Sequence, residues 1–239
     1  MTAATEAVTQ APPREILLGD AAAILASLPA MGKLMVIARA GGATHERIGP
    51  VEKVSTSGGS LRVEGACHGA EIALAPLVRV EIDRSSVMRE KVYPRLEFRD
   101  AAGEVVVAVV GMEGLEPFEA ALTAFARGRA EDTAPKASDG AKRPDLAEDD
   151  PALAPFAAVQ DSGAEVVIAV DRPGLHQFWR GRIEAVKPAM GFLNVMTPDF
   201  HLHLEGGTVA GWQAEPGKRI ATGADGVPTG LVLTSEAFA

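Results

Sequence analysis

An internal repeat constrains this chain more than any other feature, because a duplicated module must bury its apolar surface against a copy of itself. Ile37-Ala38 is followed, eight residues after the isoleucine, by His45 in IARAGGATH, and Ile168-Ala169 is followed at the same spacing by His176 in IAVDRPGLH, an offset of 131. After a one-residue slip, Gly49, Val51, Glu52 and Val54 match Gly181, Ile183, Glu184 and Val186 at an offset of 132. Gly59, Leu61 and Val63 match Gly191, Leu193 and Val195 at that same offset. The spacing therefore predicts two copies of one module, at 14–127 and 153–239, with His45 and His176 in equivalent positions. Residues 1–13 are rich in Ala, Thr and Pro and read as a flexible tail. Residues 128–152 mix Pro, Gly and charge with almost no large apolar side chain, the composition of a linker.

Each copy reads mainly as strands. KLMVIAR, GSLRVEG, EIALA, LVRVEI, RLEFRD and EVVVAVV are short, rich in Val and Ile, and punctuated by Gly, Asp or Ser, as an antiparallel meander requires. Asp100-Ala-Ala-Gly103 has the form of a hairpin turn. Asp20 is placed to cap a helix carrying Ile24, Leu25 and Leu28 on one face and ending before Pro29. Leu115, Phe118, Leu122 and Phe125 mark a second helix with Pro117 in its first turn, and both helices are expected to cover the first sheet. Leu153–Gln160 is a third, short helix, and the chain reaches LVLTSEAFA where the first copy still has a strand and a helix to come. The expected class is α+β, with tandem modules of antiparallel sheet and flanking helices, the second one truncated.

Composition narrows the function. With 23 basic against 32 acidic residues the net charge is −9, which works against a phosphate-facing surface and hence against nucleic acid as a partner. No apolar run is long enough to span a bilayer. Cys67 is the only cysteine, so neither an internal disulfide nor a thiolate metal site is available, and a reducing compartment is expected. MTAATEAVTQAPPRE lacks the basic and apolar regions of a secretory signal, which makes the cytoplasm the expected location.

No Gly-x-Ser-x-Gly, phosphate loop or His-Glu-x-x-His is present, so no catalytic residue is assigned. The chemistry rests on five histidines. In DFHLHLEGG, alternation places Phe200, Leu202 and Leu204 on one face of a strand and the imidazoles of His201 and His203 on the other. Such a pair describes either the polar side of a half-buried strand or a contact to a metal or a haem iron. His45 and His176 are explained by common descent of the two copies. His68, beside Cys67 in a Gly-flanked segment, reads as a solvated loop residue.

GRIEAVKPAMGFLNVMTPDFHLHLEGGTVAGWQAEP resembles the C-terminal repeat of the haem-utilisation, or haemin-degrading factor, family. The matching residues are Gly181-Arg-Ile183, Met190-Gly191-Phe-Leu-Asn194-Val195, Asp199-Phe200-His-Leu202-His203-Leu204 and Trp212. The first copy is similar in LPAMGKLMVIAR, THERIG and LEFRDAAGEVV, so that the resemblance covers about residues 16–127 and 153–235. It implies the HemS/ChuX-like fold and one b-type haem, received from an importer and passed on or surrendered to breakdown by a haem oxygenase. The family's principal axial histidine lies on a helical segment at the start of its second repeat, whereas here no histidine occurs between His68 and His176.

What the resemblance carries over is therefore His203, which matches the histidine of the family's Leu-His-Leu strand, with His201 beside it. His176 is a weaker candidate that matches no family ligand. Arg95, which resembles a pocket arginine before the LEF strand, or Lys218 and Arg219, are candidate partners for the haem propionates. Tyr93 is a candidate phenolate ligand or an ordinary strand aromatic. Three functions follow as expectations: a haem carrier first, then a haem-degrading enzyme, then an interaction protein that kept the fold and lost the ligand. The low aromatic content, 5%, keeps the third open. A duplicated chain already contains the pair that single-repeat relatives form by dimerising, so monomer and homodimer are both expected states.

Overall fold

The computed structural model describes residues 12–130 and 145–239. Most of the expected tail and the middle of segment 128–152 thus lie outside the described residues. The first half runs β1 (Arg14–Leu18), α1 (Ala21–Ala26), β2 (Lys33–Ala40), β3 (Ala43–Pro50), β4 (Lys53–Ser57), β5 (Ser60–Gly65), β6 (His68–Ala73) and β7 (Arg79–Asp83). A small hairpin, β8 (Val87–Met88) and β9 (Lys91–Val92), precedes β10 (Arg95–Arg99), β11 (Val105–Gly111), α2 (Leu115–Ala120) and β12 (Ala126–Arg129). The second half runs α3 (Leu153–Ser162), β13 (Val166–Arg172), β14 (Leu175–Gly181), β15 (Val186–Ala189), β16 (Phe192–Met196) and β17 (Phe200–Glu205). It continues with β18 (Gly211–Glu215), β19 (Lys218–Thr222), β20 (Pro228–Ser235) and a 3-10 turn at Glu236–Phe238.

All strand pairs are antiparallel, and the two halves share both large sheets. One sheet has the order β12-β1-β7-β10-β11-β2-β3-β17-β16-β15 and the other β18-β19-β20-β13-β14-β6-β5-β4. Each half therefore lends three strands to the sheet of the other: β17 pairs with β3, and β6 pairs with β14. Apart from β12 and β1, the two strand orders are the same list of counterparts, which is the duplication expressed in three dimensions. β20 holds the place of β11, so the segment LVLTSEAFA already contains the strand expected to be missing; among the described residues, the second sheet has no counterpart of the outer pair β1 and β12.

The hairpins correct the register of the repeat. Gly41 and Gly42, both at positive φ (47° and 82°), close a two-residue turn between the paired Ala40 and Ala43, a conformation that glycine adopts without Cβ strain. Pro173-Gly174 closes the equivalent turn between Arg172 and Leu175. Leu34 opposite Gly49 then corresponds to Val166 opposite Gly181, and the counterpart of His45 is Gln177. His176 corresponds to Thr44, and the match of His45 with His176 reflects spacing alone.

The sheets pack face to face, with β2 and β3 against β13, β20 and β6. Leu34, Val36, Val63, Ile72, Ile168, Val170, Leu202 and Leu204 fill the layer between them and are essentially excluded from solvent; each such side chain contributes roughly 1.5–3 kcal/mol by burial. Trp179 stacks on Phe200, with centroids 4.6 Å apart and planes 11° apart. The Asp20 side chain accepts a hydrogen bond from the Ala22 amide and caps α1. That helix packs against β4 rather than on the first sheet alone, because β4 has crossed to the second sheet. His68 is buried as the first residue of β6 and its Nε2 lies 2.9 Å from the Gly49 carbonyl; it is a core residue, not a solvated loop residue. The turn at Asp100 forms as expected, with the Gly103 amide donating to the Asp100 carbonyl at 3.0 Å.

Candidate functional site

Along β17 the alternation holds. Phe200, Leu202 and Leu204 point into the layer between the sheets, and His201 and His203 lie half-buried on the opposite, outer face of the ten-stranded sheet. Cross-strand pairing sets their neighbours. His201 stands opposite Glu46 and His203 opposite Thr44 on one side; on the other, His201 faces Met196 and His203 faces Asn194. Residues paired across strands share a face, so Arg39, paired with Thr44, continues the row of Thr44, His203 and Asn194. Two strand spacings, about 10 Å, separate the backbones of Arg39 and His203.

Glu46, His201 and His203 form a cluster whose ligand atoms all lie within 4.8 Å of one another. His201 Nδ1 is 3.5 Å, and His203 Nε2 is 3.8 Å, from the same Glu46 oxygen, Oε2. The His203 tautomer follows from Asn194. The amide nitrogen of Asn194 donates to the carbonyls of Lys187 (2.9 Å) and Phe192 (3.2 Å), which turns its oxygen toward His203 Nδ1 at 2.6 Å. His203 Nδ1 must then carry the proton, and its Nε2 presents a lone pair at the open side of the cluster. Burial holds the His203 pKa below the ordinary imidazole value, the neighbouring His201 works in the same direction, and Glu46 opposes both. A neutral imidazole with one nitrogen anchored and the other free is the form that binds a metal. The Phe192 ring stands edge-on to His203 at 6.4 Å, and Met196, 56% exposed, adds an apolar neighbour.

The other expected site residues are placed elsewhere. His176 lies on β14 of the eight-stranded sheet, with Nδ1 2.5 Å from Asp171 Oδ1, so the structure does not bring it to His203. Lys218 and Arg219 lie on β19 of that same sheet, where Lys218 pairs with Glu215 and the Arg219 guanidinium covers the Phe238 ring at 4.7 Å. Arg95 is on the sheet of His203, four strands away, about 19 Å. It is committed to Glu97 at 2.9 Å within a network that includes Arg14, Glu81, Asp83 and Arg99. Tyr93 lies before β10 with the Lys91 ammonium 5.5 Å from its ring centre. The residues that the sequence left unassigned are Asn194, which meets His203 across the β16–β17 hairpin, and Glu46 and Arg39, which join its face only through the pairing of β17 with β3 of the first half.

The sequence profile described as haem utilisation ChuX/HutX matches residues 16–127. No curated protein matches the chain. Among solved structures the chain is similar to ChuS, an Escherichia coli heme oxygenase, with a TM-score of 0.73 and 18% identity over 93% of this chain and 83% of that one. It is similar to holo-PhuS, a heme-binding protein from Pseudomonas aeruginosa, with a TM-score of 0.72 and 20% identity over 93% of this chain and 81% of the other. Among the described residues no helix is long and apolar enough to cross a membrane. Residues 16–127 thus resemble the haem-utilisation ChuX/HutX family, within a chain that has the α+β tandem fold of ChuS and PhuS over nearly its whole length.

Proposed function

We propose that this protein binds one b-type haem as cargo and carries it within the cytoplasm, with His203 Nε2 as the iron ligand. The observation that carries the reading is the fixed tautomer of His203: Asn194 holds the Nδ1 proton, and the lone pair of Nε2 is left toward the outer face. The surroundings suit a porphyrin, with Phe192 and Met196 as apolar neighbours and Arg39, exposed on the same face, as a cation within reach of a propionate. When bound, haem would supply the iron; the chain supplies the imidazole, its orientation and the counter-charge. The test is a haemin titration followed in the Soret region. A shifted band that saturates at one equivalent is expected, and an unshifted band overturns the reading.

Haem breakdown is the second reading, favoured by the shared fold with ChuS, which is a heme oxygenase. Ascorbate added to the haem complex separates the two. A carrier keeps its Soret band, whereas a degrading enzyme loses it and yields a bile-pigment absorbance.

A further inference from the structure

We infer that Glu46, His201 and His203 form a site for a divalent transition-metal ion of the zinc or ferrous type, bound directly and without a porphyrin. The site goes beyond haem carriage, because haem needs His203 only, whereas a bare ion needs all three. Two imidazoles and one carboxylate are the donor set of catalytic zinc sites and of the facial triad of non-haem iron, and they disfavour calcium and magnesium, which prefer oxygen alone.

The geometry is close to that of a loaded site. Bonds of 2.0–2.1 Å in a tetrahedral site put donor atoms about 3.3–3.4 Å apart. The two histidine nitrogens lie 3.5 and 3.8 Å from Glu46 Oε2, and all three ligand atoms lie within 4.8 Å of one another, so side-chain adjustments on the order of 1 Å would close the triad. The three side chains come from adjacent strands of a sheet, where backbone pairing limits their play.

The second observation concerns the other ring nitrogen. His203 Nδ1 is held by Asn194 Oδ1 at 2.6 Å, which orients the ring with Nε2 directed at Glu46. The Asn194 contact is itself the outer-shell hydrogen bond that metal-bound histidines make. Three protein ligands leave at least one coordination position for water or a small oxygen donor.

Cobalt(II) is the probe, because its visible d–d bands report coordination by nitrogen and oxygen. Untagged protein is expected to take up one equivalent and develop those bands. Glu46→Gln and His201→Ala are expected to lose them while still shifting the Soret band of haemin, and His203→Ala is expected to lose both signals. Asn194→Ala is expected to weaken cobalt binding about 10–100-fold. Far-UV circular dichroism reports folding of each variant without either ligand. Absent bands in the folded wild-type protein, or bands of wild-type strength in folded Glu46→Gln and His201→Ala, overturn the inference. If cobalt binds and haemin does not, the ion site stands and haem carriage fails; the reverse outcome sinks the ion site alone.

Discussion

Gln177 Nε2 donates to His45 Nδ1 at 2.9 Å in the solvent-free layer between the two sheets, and these two residues are each other's counterparts in the duplication. The same symmetry governs their other partners. His45 Nε2 lies 3.1 Å from the Ile168 carbonyl, and Gln177 Nε2 lies 3.2 Å from the carbonyl of Val36, the counterpart of Ile168. The centre of the molecule is thus a polar contact across its pseudo-two-fold axis. Replacing Gln177 by Leu leaves buried acceptors unpaired and is expected to cost about 1–3 kcal/mol, read by urea denaturation. The exchanged double variant, His45→Gln with Gln177→His, places each side chain where its counterpart stood and is expected to be more stable than either single exchange. A double variant no better than the worse single one would refute the symmetry.

Acid should destabilise this fold from a definite pH. Burial lowers the His45 pKa to about 3 and that of His68 in the same direction. Below the unfolded-state value of about 6.5, the unfolded chain binds protons that the native chain refuses, so native stability falls as pH drops, by about 1.4 kcal/mol per pH unit for each such histidine. Above that value both states are neutral and the effect vanishes. For His45 the loss continues down to about pH 3. Denaturation midpoints measured between neutral pH and about pH 5 should show a shallower slope in His45→Gln than in the wild type.

Arg39 and Arg95 should separate binding from stability. Arg39 is exposed in the row of His203, and its loss is expected to weaken haemin binding about 10–100-fold, the worth of one charge-assisted hydrogen bond, with the melting temperature kept. Arg95 is one of three arginines paired with the buried Glu97, and its replacement by Ala is expected to lower stability by about 1–3 kcal/mol with haemin affinity unchanged. Paired titrations and thermal melts of the two variants check this.

Much of this was legible in the sequence wherever the determinant is local. The Asp20 cap, the Asp100 turn and the alternation that puts His201 and His203 on one face each depend on a few neighbouring residues. What depends on strand exchange was not. Nothing in THERIG says that Glu46 will stand opposite His201, because that pairing arises only when β17 crosses to the sheet of the first half. The burial of His68 has a related origin, since β6 joins β14 of the other half in the second sheet and packs there against β3, which carries Gly49. The equal spacing of His45 and His176 does not mark them as counterparts, because backbone pairing sets the register across the turns and makes Gln177 the counterpart of His45.

Ligation of haem through His203 Nε2 is tested most directly by comparing the Soret and electron paramagnetic resonance spectra of the haemin complexes of His203→Ala and His201→Ala with those of the wild type. His203→Ala is expected to lose the histidine-ligated signal and most of the affinity, whereas His201→Ala keeps both. A His203→Ala complex with the spectrum of the wild type would contradict the assignment.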